Sequence, residues 1–134
     1  MTMRVAEVMQ TRFPMIAPDA TVSEAATRLA AAAVSWLPVV ADGHVLGAVT
    51  DRDLIVGCVA ARRRPTRTPV AEIMSSVPGM VSSDGEIADA AALMTARSTD
   101  WLAVLDGAGM LAGMVGATEI TLAGQGWQPK ELAA

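Results

Sequence analysis

A chain of 134 residues, 52% of them apolar, has the length of one domain or of two very small halves sharing a core. Its net charge of −4 gives no positive field for nucleic acid, and with one Phe, three Trp and no Tyr the core must be built from Ala, Val, Leu, Ile and Met. The single cysteine, Cys58, excludes an intrachain disulfide and a cysteine-based zinc knot.

The opening MTMRVAEVMQ reads as helical and lacks the charged head and apolar core of a signal peptide. A short apolar strand at Met15-Ile16 then meets Pro18. A helix is expected from Thr21, where Thr21 and Glu24 form a T-x-x-E capping box. Val22, Ala25, Ala26, Leu29 and Ala33 fall on one face of it. The longest nearly apolar run, LAAAAVSWLPVVA at 29–41, is too short for a bilayer and is interrupted by Pro38, so a cytoplasmic protein with no membrane partner is expected. WLPVV and VLGAVT flank ADGH, a hairpin with glycine at its tip. A second helix starts at Asp51 and carries LIVGCVAA. The segment ARRRPTRTP follows, held out of helix by Pro65 and Pro69.

The same unit is then written again. VAEVM at 5–9 returns as VAEIM at 70–74, MIAPDATVSEAA as MVSSDGEIADAA, and WLPVVADG as WLAVLDGA. After one inserted residue VLGAVTDRDL aligns with LAGMVGATEI. Each copy reads β-α-β-β-α. Neither half can cover both faces of its strands, so an α/β (α+β) fold is expected, with the repeats packed sheet to sheet about a pseudo-twofold axis. The repeats are placed at 4–61 and 70–123, with a linker at 62–69 and a tail at 124–134. So much apolar surface on a small body favours an oligomer, expected to be a homodimer.

The polar cluster in GAVTDRDL has two compatible readings. Thr50 followed three residues later by Asp53 is a helix-start signal, with acids in the first turn suiting the helix dipole. A helix N-terminus also favours a phosphate. Asp51 and Asp53 do not make a catalytic pair, because helix residues two apart do not face each other, and no histidine or nucleophile accompanies them. Arg52 reads equally as a phosphate grip or an exposed first-turn arginine. Arg62, Arg63, Arg64 and Arg67 read as a solvated linker. His44 reads as an exposed turn residue without metal partners. Cys58 reads as small and buried, the methionines as core filler, and Trp36 and Trp101 as packing at a seam.

With EVM, APDATVSEAA, LPVV, DG and GAVTDRDL in order, and then repeated, the chain resembles the cystathionine-β-synthase (CBS) domain family over residues 4–121, two tandem copies making a Bateman module. The resemblance implies a regulatory module that binds AMP, ADP, ATP or S-adenosylmethionine in the cleft between repeats, with no cofactor required. It also implies dimers of modules in a flat disc. Gly47, Ala48, Val49, Thr50 and Asp53 match the family's ribose pattern. Asp53 would then accept from the ribose hydroxyls and Thr50 would touch sugar or phosphate. Met15, Ile16 and Ala17 would wall the adenine, and Leu37, Pro38 and Val39 would close the other side. In the second copy Gly116 stands for the threonine, Glu119 for the aspartate and Ala103 for the proline, so one site per chain is expected. The expected function is a non-enzymatic sensor of an adenosyl ligand that acts on a separate protein partner. The alternative is a structural dimerisation module whose site has decayed.

Overall fold

Thr21 adopts an extended backbone, and its Oγ accepts the Glu24 N–H at 3.2 Å, so helix α1 (Val22–Ala32) starts where the T-x-x-E pattern places it. Only that half of the capping box forms. The computed structural model to which this helix belongs describes residues 3–124. Val22, Ala25 and Leu29 are buried, whereas Ala26 and Ala33 are exposed. Ala33 has already left the helix in a left-handed conformation (φ 54°), and the buried stripe is narrower than the apolar pattern implied.

Strands β1 (Trp36–Ala41) and β2 (His44–Thr50) pair antiparallel, Trp36 lying opposite Thr50. Asp42 and Gly43 both have positive φ (52° and 78°), the two-residue turn whose twist suits a hairpin. His44 is thus the exposed first residue of β2 rather than a turn residue. The strand expected at Met15-Ile16 reduces to one bridge. Ile16 donates to the Pro38 carbonyl at 3.1 Å and accepts from Val40 N–H at 2.9 Å, parallel to β1. Helix α2 (Asp51–Leu54) continues into a π-helical turn at Ile55–Val59. Cys58 is buried there, its thiol 3.4 Å from the Arg63 carbonyl.

The arginine-rich segment is folded against α1. The Thr68 and Pro65 carbonyls accept the N–H groups of Val22 and Ser23 at 2.9 and 3.0 Å, satisfying donors that a helix start leaves open. Arg63 pairs with Glu72 at 2.8 Å, while Arg62, Arg64 and Arg67 are exposed.

The second copy contains β3 (Met80–Ser82), α3 (Ile87–Arg97), β4 (Trp101–Leu105), β5 (Leu111–Gly116) and α4 (Ala117–Gly124). Here β3 is a true strand, parallel to β4, and β5 is antiparallel to β4. The chain is therefore a mixed α+β protein with one small sheet in each copy. Met15 and Met80, equivalent in the repeat, are 44% and 48% exposed rather than core filler, whereas Met94 and Met114 are buried.

The compact units are cut differently from the repeats. Pro14–Val77 forms one, and the segments on either side of it form the other. VAEVM is not the longer helix expected. Val5–Glu7 makes a single 3-10 turn, and Val5 and Val8 join the core of Leu102, Val104 and Val115 in the second copy's unit. Gln10 then pairs with Met114 through two backbone hydrogen bonds of 2.7 and 2.9 Å. VAEIM, with its own 3-10 turn at Val70–Glu72, packs Val70 and Ile73 against Leu37 and Val49, and Ser75 pairs with Ala48 at 2.8 Å in both directions. Segment 62–69 lies within the first of these units. Glycine permits both close approaches. A Cβ on Gly47 would stand 2.7 Å from the Ser75 carbonyl oxygen, and one on Gly113 would stand 2.6 Å from that of Gln10. Trp127 and the rest of the tail from 125 onward lie outside the described residues. Among the described residues no helix is long and apolar enough to cross a membrane.

Candidate functional site

Thr50 ends β2 and caps α2, and its cap is reciprocal. Its Oγ accepts the Asp53 N–H at 2.9 Å, and its own N–H donates to Asp53 Oδ2 at 2.8 Å. Ser75, brought in by the 73–75 segment beside β2, donates its hydroxyl to the same Oδ2 at 2.9 Å. The half-buried carboxylate is thus fixed by two donors on one oxygen, and Oδ1 accepts no hydrogen bond among the described residues. Such a group can accept from hydroxyls presented to its free edge, and charge assistance strengthens those bonds.

Its neighbours on α2 do not share the task. Asp51 donates its backbone N–H to the Ser35 carbonyl at 3.0 Å, and its exposed carboxylate accepts the Arg52 N–H at 2.8 Å. Arg52 is exposed, with no salt bridge among the described residues.

The remaining candidates divide by burial. Met15 is exposed, and its carbonyl accepts from the Arg28 guanidinium. Ala17 is exposed, and its carbonyl accepts from Ala20 N–H at 3.1 Å. Ile16, Leu37 and Val39 belong to the apolar core with Val22, Leu29 and Val49, so their side chains are committed to packing. Pro38 is fully buried and contributes its carbonyl to the Ile16 bridge. Direct hydrogen bonds among the candidates therefore join Thr50 to Asp53, and Ile16 to Pro38.

The second copy keeps the scaffold and changes the contents. Ala117 N–H bonds the Asp100 carbonyl at 2.9 Å, matching the Asp51–Ser35 bond of the first copy. Glu119 is only 4% exposed, and its Oε1 accepts from the Gln10 side-chain amide. A Cβ on Gly116 would lie 2.8 Å from Glu119 Oε2 and 3.0 Å from the Trp101 ring, so a threonine side chain here would require Glu119 to move. Trp101 is half-buried; its equivalent Trp36 is buried, with an indole N–H lacking a partner among the described residues.

Ser75 and Gln10 were not singled out from sequence. Within each repeat the sequence sets them the other way, Gln10 with Asp53 in the first copy and Ser75 with Glu119 in the second. The match of short Ser with short Asp and long Gln with long Glu appears only once the two segments are seen to be exchanged. An open depression of 580 Å³ lies at the end of α3, where the Thr95 and Thr99 hydroxyls bond the Ala91 and Trp101 carbonyls. No cluster of three or more metal-ligating side chains occurs among the described residues.

The chain belongs to the CBS-domain family, whose profile matches it twice, at residues 5–58 and 70–126. It is 31% identical over 102 residues to the CBS domain-containing protein YhcV of Bacillus subtilis, spanning 76% of this chain and 72% of YhcV. It is similar in structure to the conserved CBS domain protein TA0289 of Thermoplasma acidophilum, with a TM-score of 0.75 and 27% identity over 90% of this chain and 68% of that one. It also superposes on CBSX2, an Arabidopsis thaliana CBS-pair protein solved in complex with AMP, with a TM-score of 0.77 and 24% identity over 92% and 96% of the two chains.

Proposed function

We propose that the protein is a regulatory module that binds an adenine nucleotide or related adenosyl ligand in its first repeat and acts on a separate protein rather than by catalysis. The observation that carries this reading is the Asp53 carboxylate, held by Thr50 and Ser75 with Oδ1 left to accept from the ribose hydroxyls. Thr50 can turn its hydroxyl proton toward sugar or phosphate, because its oxygen serves the cap only as acceptor. Arg52 and the exposed Met15 and Ala17 complete the proposed contacts, with Ile16, Leu37, Pro38 and Val39 as their packed support. AMP is the first ligand to test, since CBSX2 was solved with it.

The proposed assembly is a cytoplasmic homodimer. Ile55, Val56 and Val59 lie 55 to 68% exposed along α2 and its π-helical extension, an apolar face that a second copy would cover.

A thermal-shift panel of AMP, ADP, ATP, NAD and S-adenosylmethionine tests the reading. A ligand that binds only the folded state adds about 2.7 kcal/mol at a hundredfold excess over its Kd. A rise in Tm with one member supports the proposal. Silence across the panel overturns it and leaves a dimerisation module.

A further inference from the structure

We infer that the second repeat carries a self-occupied version of the same site, whose occupant is the Gln10–Glu119 side-chain pair of this chain. The inference rests on the proposed role of Asp53 and starts from an equivalence that the backbone establishes. Ser75 bonds β2 through Ala48, and Gln10 bonds β5 through Met114, each by two reciprocal N–H to carbonyl bonds. Each of these residues then donates its side chain to the acid at the start of the following helix, Ser75 to Asp53 and Gln10 to Glu119.

What differs is the volume these pairs fill. Serine plus aspartate leaves the acid half-buried with one oxygen open. Glutamine plus glutamate adds three methylene or amide groups in the same setting, and Glu119 is 4% exposed. Its Oε2 lies against Gly116, where the first copy has the Thr50 side chain, and the Trp101 ring closes over the same carbon. The carboxylate that would have received a ligand hydroxyl thus receives the amide of the N-terminal segment. That segment is held on β5 by the close approach that Gly113 allows. Gly116, Glu119 and Gln10 form one coordinated set, because Gly116 makes room for Glu119 and Gln10 satisfies it.

The test restores the first copy's set in the second. Titration calorimetry with AMP on the full chain should give one site in the wild type and two in Gln10→Ser/Gly116→Thr/Glu119→Asp. In an Asp53→Ala background the wild-type second repeat should bind nothing and the converted one should bind one AMP. Trp36 opposite Thr50 in the first copy indicates that threonine and tryptophan coexist across these strands. Gln10→Ser/Glu119→Asp serves if the triple variant does not fold. A folded converted protein that still binds one AMP overturns the inference while leaving the first site intact. A wild type that binds neither AMP nor any other member of the adenosyl panel overturns the Asp53 reading instead. In that event melting decides the packing claim. Gln10→Ala, which strands a buried carboxylate, should lower Tm by several degrees and Ser75→Ala by much less. Equal small shifts would overturn the self-occupied site.

Discussion

The Ser75 hydroxyl donates to Asp53 Oδ2 at 2.9 Å across 22 positions of sequence, and the Thr50 N–H donates to the same oxygen at 2.8 Å. Both donors sit on one edge of the carboxylate, so its other oxygen is aimed without being consumed. Asp53→Ala should therefore weaken AMP binding tenfold or more, since hydrogen bonds to a charged acceptor are worth roughly 1.5 to 3 kcal/mol each. Glu119→Ala should leave that affinity unchanged. A 2′-deoxy or 3′-deoxy analogue should bind the wild type less well than its parent but bind Asp53→Ala about equally well. Calorimetry reads all these affinities, and equal losses in both proteins would confine Asp53 to its cap.

Removing the cap has a separate cost. Asp53→Ala should lower the stability of the ligand-free protein by about 0.5 to 1.5 kcal/mol, because the Thr50 N–H and the Ser75 hydroxyl lose their acceptor. Urea denaturation without ligand measures it. Asp53→Asn retains an acceptor oxygen and should recover part of the stability while still losing affinity.

Gly47→Ala and Gly113→Ala should each destabilise by about 1 to 3 kcal/mol, since the new methyl meets a backbone carbonyl that cannot swing aside. Gly107→Ala is the control. Nothing lies within 4 Å of its added carbon, and its effect should stay within about 0.5 kcal/mol. Thermal melts of the three variants decide it.

Leu37→Ala should cost about 2 to 5 kcal/mol, because the side chain is fully buried in the core beneath α1. Val56→Asp replaces an exposed residue and should change monomer stability little. Light scattering at low micromolar concentration should nevertheless show the wild type as a dimer and Val56→Asp as a monomer. An unaltered dimer would remove this face from the interface.

The elements governed by local rules were legible in the sequence. Thr21 with Glu24, Asp42 with Gly43, and Thr50 with Asp53 each specify a start or a turn within four residues, and each appears in the structure. The β-α-β-β-α order followed from the repeat. The destination of VAEVM was not legible, because the two copies of that segment are nearly identical and either could satisfy either apolar core. Backbone pairing settles it, with Gln10 on Met114 and Ser75 on Ala48. Leu37 and Val39 illustrate another limit. A family pattern can mark residues near a ligand, but it does not show that Leu37 and Val39 join the apolar core of Val22, Leu29 and Val49, in a strand whose first four residues are all buried.

The exchange of the two VAE segments also sets an order of assembly. Pro14–Val77 is continuous in sequence, so every partner its core requires is present once Val77 has been synthesised. The other unit has no such autonomy. Gln10 finds Glu119 109 positions later, and Val5 and Val8 need Leu102 and Val115. The segment around Val5 must therefore wait without its apolar partners until Leu102 and Val115 have emerged, and it closes a loop of about a hundred residues. Synthesis at reduced speed lengthens that wait for this unit while leaving the formation of the other untouched.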